Sequence, residues 1–131
     1  MISLHADVPL MSVIQDIGHL ILPVDDMPKA VAFYCDLLGL RVVGKGNPVW
    51  TVIETQGGQL TLWRTPDVAK VAYGPQGEDS PFEFHVEDFE KAATRLESEG
   101  VRVKRFTAHA GVVKDPFGNA FRLHDHREDP K

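Results

Sequence analysis

The stretch Val24-Asp25-Asp26-Met27-Pro28-Lys29-Ala30 occurs a second time in this chain of 131 residues, 62 positions later, as Val86-Glu87-Asp88-Phe89-Glu90-Lys91-Ala92. Four of the seven residues are identical, and the second position is acidic in both copies. Further matches follow in the same order at an offset of 61, residues 39–42 with 100–103 and residues 57–62 with 118–123. Three ordered matches at a nearly constant spacing predict one structural unit used twice.

Each copy predicts a strand, a helix and three further strands. Ile17 to Val24 is a short apolar run that is typical of a first strand. Asp25 or Asp26 in the first copy and Asp88 in the second favour helix N-caps, and a glycine favours the end of each helix. The apolar helix positions are Met27, Ala30, Val31, Tyr34 and Leu38, and then Phe89, Ala92, Ala93 and Leu96. The other predicted strands are Leu40–Gly44, Trp50–Glu54, Gln59–Arg64, Phe82–Val86, Val101–Phe106, Gly111–Lys114 and Ala120–His124.

We therefore predict an α+β fold of two βαβββ modules, at about 17–64 and about 81–124. A stretch rich in proline, glycine and acids, at about 65–80, reads as their connection. The length fits a single domain over 1–131. The turn at 115–119 leads into the last strand, and the charged tail from Asp125 is expected to fray. Residues 1–15 receive no assignment.

Composition limits the classes of function. Hydrophobic residues are 43% and charged residues 25% of the chain, which is typical of a globular protein. No apolar run approaches the roughly 18 residues of a membrane span, and His5 and Asp7 interrupt the place of a signal peptide. The net charge of −5 and the lack of a basic tract argue against nucleic-acid binding. The single cysteine, Cys35, favours a reducing cytoplasm.

The repeated pattern resembles the vicinal oxygen chelate superfamily, which includes glyoxalases, bleomycin-resistance proteins and extradiol dioxygenases. The resemblance spans about 17–124 and is carried by His19, Val24-Asp25-Asp26, Ala30, Phe33-Tyr34, Leu38-Gly39-Leu40 and the turn at 115–119. It implies that both modules curl into an open cup of mixed β-sheet with helices on the outer face. It also implies a homodimer with sites at the subunit interface. The fold hosts several chemistries, so the activity stays open.

The resemblance further implies four metal-ligand positions, and this sequence fills them with His19, Thr61, Pro81 and Arg122. Only His19 matches a ligand of the family. Because a divalent ion needs about three nearby donors, we expect a degenerate metal site and no required cofactor.

A divalent metal held by an altered ligand set is the alternative. Glu83, His85 and His124 are the substitutes, but two residues along a strand span about 6.6 Å, so a shifted register or a β-bulge would be needed. His85 is expected to lie too far from His19 for both to bind the same ion. The run His124-Asp125-His126 is expected to be exposed.

The predicted ligand-binding residues of a metal-free cup are His19, Trp50, Thr61, Trp63, Glu83 and Arg122. Indole side chains suit a flat aromatic compound, although Trp63 could instead fill the cup or a dimer contact. Arg122 needs an anionic partner, either an internal carboxylate (Glu83 or Glu54) or a ligand carboxylate or phosphate. We expect His19 to hydrogen-bond within the cup, for example to Thr61, rather than to act as a general base.

Three functions fit these residues. The first is a dimer that binds and sequesters a planar or anionic small molecule. The second is a metal-dependent lyase, isomerase or dioxygenase with a non-standard ligand set. The third is a structural or regulatory dimer without a ligand. Metal stoichiometry separates the first two, and quenching of Trp63 fluorescence separates the first from the third.

Overall fold

The computed structural model describes residues 13, 14, 16, 18–72, 80 and 82–127. The first unit contains strand β1 (Leu20–Val24), helix α1 (Met27–Val31), a π-helix (Ala32–Leu37), and strands β2 (Arg41–Val42), β3 (Trp50–Glu54) and β4 (Gln59–Arg64). A short helix α2 (Val68–Val71) follows. The second unit contains β5 (Glu83–His85), α3 (Phe89–Ser98), β6 (Val103–Thr107), β7 (Ala110–Lys114) and β8 (Ala120–His124).

The strands form two four-stranded mixed sheets with the same connectivity. The first has the order β1-β4-β3-β2 and the second the order β5-β8-β7-β6. β1 and β5 each pair in parallel with the last strand of their own unit, and the remaining pairs are antiparallel. The predicted α+β fold of two βαβββ units is confirmed, and the two sheets do not close into a barrel.

The two predicted helices, α1 and α3, begin where the sequence predicts. The side chain of Asp26, rather than Asp25, accepts a hydrogen bond from the backbone N–H of Lys29 at 3.0 Å, and Asp88 accepts one from Lys91 at 3.1 Å. The first helix then departs from the α pattern. The N–H of Leu38 donates to the carbonyl of Phe33, five residues earlier, so its second half is a π-helix that the sequence did not predict.

Strand limits agree closely with the prediction in the middle of each sheet and less well at its edges. Trp50–Glu54, Gln59–Arg64 and Ala120–His124 have the predicted limits. The predicted Leu40–Gly44 is shorter, since β2 contains only Arg41 and Val42, and the N–H of Val43 makes one further hydrogen bond to the carbonyl of Val52 in β3. The connection contains α2, which was not predicted. Ile17, Pro81, most of 1–15 and residues 73–79 lie outside the described residues, and the domain and module limits stay predictions.

A buried polar network connects the two units. The hydroxyl of Tyr34 donates to Oδ2 of Asp115 at 2.6 Å, and the Asn119 amide donates to the carbonyl of Pro23 at 2.8 Å. Burial raises the pKa of the Asp115 carboxyl, and burial together with the nearby Asp115 charge raises the pKa of Tyr34. Apolar residues of both units form one core cluster around this network.

The expected fraying of the tail is wrong for its first three residues. Asp125 is fully buried, and it accepts hydrogen bonds from the backbone N–H groups of Phe89 and Arg127 and lies 2.7 Å from Nδ1 of His109. The segment is held because Phe89 opens α3, where backbone N–H groups need acceptors. Residues 128–131 lie outside the described residues. No helix in the described ranges has the length and apolar character to cross a bilayer.

Candidate functional site

The first sheet has one face in the core and one face directed away from it. Leu60 and Leu62 of β4 are buried in the core, so the alternate residues Thr61 and Trp63 lie on the opposite face. Their register partners on β1 and β3 lie on the same face of the sheet. We call this surface the first open face, and it consists of His19, Ile21, Pro23, Trp50, Val52, Thr61 and Trp63.

His19 and Thr61 form the polar part of the first open face. Nδ1 of His19 lies 2.6 Å from the hydroxyl oxygen of Thr61, which is the hydrogen bond expected within the cup. Thr61 is fully buried, whereas His19 is exposed. One ring nitrogen of His19 therefore lies within hydrogen-bond distance of a neutral hydroxyl, and Thr61 stands at a position where the resemblance implies a metal ligand.

Two tryptophans form the apolar part of the first open face. Trp50 and Trp63 are register partners on β3 and β4, and they remain 40% and 37% exposed. Ile21 on β1 is exposed to a similar extent. Exposed large apolar side chains that lie together usually mark a surface that meets a ligand or a partner. The described part of the chain therefore offers an aromatic surface beside the His19–Thr61 pair.

The second sheet presents a more polar surface away from the core. Glu83 is the register partner of Arg122, and His85 is the register partner of His124, so all four share one face as predicted. We call this surface the second open face and include the exposed His126 that follows β8. The pairing of β5 with β8 has no register shift or β-bulge between Glu83 and His85. The register shift in this sheet lies in β6, between Arg105 and Thr107. Pro81 is outside the described residues.

Arg122 extends toward the β6 edge of the second sheet. Its guanidinium carbon lies 5.9 Å from the ring centroid of Phe106, which places it on the opposite side of β8 from β5. Of the two internal carboxylates considered for it, Glu54 lies 3.1 Å from Arg41 in the first sheet. The other, Glu83, lies close to two histidines.

Imidazole rings surround the carboxylate of Glu83. Its Oε2 lies 3.0 Å from Nε2 of His85, and its Oε1 lies 3.6 Å from Nδ1 of His124. The ring of His126 is 4.2 Å from that of His85 and 4.4 Å from that of His124, measured between centroids. The sequence spacing placed His85 and Glu83 on one face, but only the chain path beyond β8 brings His126 to them.

The structure thus brings the six predicted ligand-binding residues together as two groups. His19, Trp50, Thr61 and Trp63 lie on the first open face, and Glu83 and Arg122 lie on the second. Sequence reasoning did not include His126 in the site. The sequence signal that could have included His126 was the run His124-Asp125-His126. Asp125 is fully buried, and this holds the histidines on both sides of it in place.

Comparison with known proteins gives several relatives. The sequence profile of the Glyoxalase/Bleomycin resistance protein/Dioxygenase superfamily matches residues 16–123. The glutathione transferase FosA of Serratia marcescens is 33% identical over 117 residues, covering 85% of this chain and 81% of that protein. Among solved structures, lactoylglutathione lyase from Agrobacterium tumefaciens superposes with a TM-score of 0.65 at 21% identity, covering 92% of this chain and 100% of that one. TnmS3, an antibiotic binding protein from Streptomyces sp. CB03234, superposes with a TM-score of 0.65 at 23% identity, covering 87% and 98%.

The profile match covers most of the chain, the identity to FosA extends over most of both proteins, and the two βαβββ units agree with the fold of the structural relatives. The chain therefore belongs to the Glyoxalase/Bleomycin resistance protein/Dioxygenase superfamily.

Proposed function

We propose that this protein is a cytoplasmic homodimer that binds a planar or anionic small molecule. In this proposal the first open face of one protomer and the second open face of its partner enclose each ligand. The observation that carries the proposal is the pair of exposed tryptophans, Trp50 and Trp63, beside the His19–Thr61 hydrogen bond.

The two open faces have complementary roles in this proposal. The indole rings provide a flat apolar surface on which an aromatic ring packs, with a ring N–H available for a polar contact. Arg122 provides a permanent positive charge and a planar fork that suits a carboxylate, sulfonate or phosphate. The aromatic residues and Arg122 belong to different sheets, so a site that uses both requires the two faces to meet.

The residues at the family's ligand positions favour binding over metal chemistry at that place. Thr61 offers a neutral hydroxyl that is already bonded to His19, and Arg122 has only donor groups and no lone pair for an ion. Among the described positions of that set, His19 alone is a usual metal ligand. A degenerate metal site is therefore part of the proposal.

Two further observations support the proposal. TnmS3 is, by its name, an antibiotic binding protein, so a protein of this fold holds a small molecule. Cys35 is the only cysteine and is half-buried, and burial together with Asp36 raises the pKa of its thiol. A single cysteine with no second cysteine in this sequence to form a disulfide fits a reducing compartment.

The test uses anilinonaphthalene sulfonate, a flat aromatic anion, as the probe. We expect saturable binding at about one probe per chain, seen as quenching of tryptophan emission and a rise in probe emission. Trp63→Phe should reduce the quenching, and Arg122→Gln should weaken binding at least tenfold, since a charge-assisted contact contributes about 1.5–3 kcal/mol. Sedimentation equilibrium should show a dimer.

Arg105→Gln is the matched control. Arg105 pairs with Glu90 and Glu97 of α3 on the helix side of the same sheet, so this variant loses the same charge away from the open faces. Equal weakening by both arginine variants, non-saturable probe binding, or a monomer would each overturn the proposal.

The second candidate is a metal-dependent lyase, isomerase or dioxygenase, favoured by the presence of His19 and the identity to FosA. Elemental analysis of the tag-free protein, dialysed against zinc, nickel, manganese and iron, tests it. About one tightly held ion per chain that is lost in His19→Ala would replace the binding proposal with this candidate.

A further inference from the structure

We infer that Glu83, His85 and His126, with His124 beside them, form a binding site for a divalent transition metal on the second open face. One ligand atom from each of Glu83, His85 and His126 lies within 4.8 Å of the others. The three side chains come from β5 and from the segment after β8, so folding rather than local sequence brings them together.

The donor set indicates the class of metal. Two or three imidazole nitrogens and one carboxylate suit zinc, nickel or copper, whereas magnesium and calcium prefer oxygen ligands alone. Ligands at about 2.0–2.2 Å around a tetrahedral ion lie about 3.4 Å apart. The present spread is wider, but the side chains of His85 and Glu83 are 63% and 29% exposed and can rotate to close it.

The local charges are compatible with a bound cation. Glu83 supplies a carboxylate that already lies 3.0 Å from His85. The guanidinium carbon of Arg122 lies 5.9 Å from the ring centroid of Phe106 on β6, which is on the other side of β8 from β5. Arg127, the next cation along the chain, lies 2.9 Å from Asp88.

This site differs from the ligand positions that the family implies. Glu83 is two residues further along its strand than Pro81, and His124 is two residues further than Arg122, a displacement of about 6.6 Å. His19 is not required. The inference does not depend on the proposed function, since its readout is bound metal and not bound probe.

Isothermal titration of the tag-free full chain with Zn²⁺ tests the inference. We expect about one ion per chain, and His85→Asn and His126→Asn should each lower the affinity at least tenfold, since even the loss of a residue that only orients a metal ligand costs about 10–100-fold. Glu83→Gln, which keeps the side-chain size, should also weaken binding. Titration with Co²⁺ should give visible absorption bands that lose intensity in the same variants.

His19→Asn makes the same substitution at the first ligand position of the family, so it separates the present site from one built around His19. We expect it to bind Zn²⁺ like the parent. The absence of stoichiometric Zn²⁺, unchanged affinity in His85→Asn with a parent-like circular dichroism spectrum, or loss of the ion in His19→Asn would each overturn the inference.

Discussion

The two units have the same strand order and pairing. They differ in the hydrogen bonds that hold their turns and helix starts, and in the side chains on their open faces. The first helix has five α-helical residues before it becomes a π-helix, whereas α3 has ten. The first open face is mainly aromatic and aliphatic, and the second carries histidine, carboxylate and guanidinium groups. The two copies of the repeat thus share the strand connections that build the fold, whereas the side chains on their open faces differ in chemistry.

The hairpin before the last strand shows the difference in detail. In the first unit, Glu54 pairs with Gln59, and the exposed turn closes with the N–H of Thr55 donating to the carbonyl of Gly58. In the second unit the turn is one residue longer and closes from Asp115 to Asn119. Both Asp115 oxygens accept hydrogen bonds inside the protein, so this turn is part of the core.

The largest expected effect is the loss of this carboxylate. In Asp115→Ala, the Tyr34 hydroxyl and two backbone N–H groups lose the carboxylate as acceptor, and the Asn119 amide loses one hydrogen bond while it keeps the one to the carbonyl of Pro23. Each unsatisfied buried group costs about 1–3 kcal/mol before relaxation. We expect the free energy of unfolding to fall by about 3–5 kcal/mol in urea denaturation, near the upper end for a single substitution.

Thr55→Ala tests the corresponding turn of the first unit. It removes only two hydrogen bonds at an exposed site, from Thr55 to the carbonyl of Gly58 and from the N–H of Gly57 to Thr55. We expect a loss below about 1 kcal/mol. Similar losses in the two variants would contradict the assignment of Asp115 to a core network.

A smaller effect is expected where a β7 glycine meets α3. A Cβ on Gly111 would lie 2.5 Å from the carbonyl oxygen of Lys104 and 2.7 Å from the ring of Phe89. The first of these neighbours is backbone and cannot rotate away, so Gly111→Ala should cost about 1–3 kcal/mol, measured by urea denaturation. Gly57→Ala, which has open space around the added carbon, should change the stability by less than about 1 kcal/mol.

The order of the elements could be predicted from the sequence because local signals repeat. An acidic cap and a glycine stop at the same offset located both helices, and Gly39 and Gly100 do adopt the left-handed conformation, with φ of 85° and 84°. Strand alternation also assigned Thr61 and Trp63 to one face of the first sheet. These properties depend on residues close together in the chain.

The features that were missed depend on contacts between distant residues. The hydrogen bonds of the π-helix span five residues instead of four, and the spacing of apolar residues in the sequence did not indicate this change. Asp125 looks like the start of a charged tail, but it is fully buried because it accepts a hydrogen bond from Phe89, 36 positions earlier. His126 lies beside Glu83 and His85 because the adjacent Asp125 is held by this hydrogen bond. A pattern read along one segment cannot show an acceptor supplied by another segment.

The smallest of the three stability effects concerns the start of the two helices. α1 has Asp26 as its cap, whereas α3 has Asp88 and, in addition, the buried Asp125. Burial opposes ionisation of Asp125, but the hydrogen bonds from Phe89, His109 and Arg127 outweigh it, so the pKa of this carboxyl is lowered. A lowered folded-state pKa means that its stabilisation is present above the unfolded-state value of about 3.9 and is lost as the pH falls through the folded-state value.

Asp125→Asn should therefore lower the free energy of unfolding at neutral pH. At acidic pH the parent and the variant should have similar stability. We expect the gap in the free energy of unfolding between parent and variant, followed by urea denaturation at several pH values, to be widest above about pH 5 and to shrink below about pH 4. Asp25→Asn, an exposed acid beside the cap of α1, controls for the loss of one negative charge. A gap that stays constant from neutral to acidic pH would mean that Asp125 contributes through its shape alone. In that case the extra stability of the α3 start would not come from an ionised second cap.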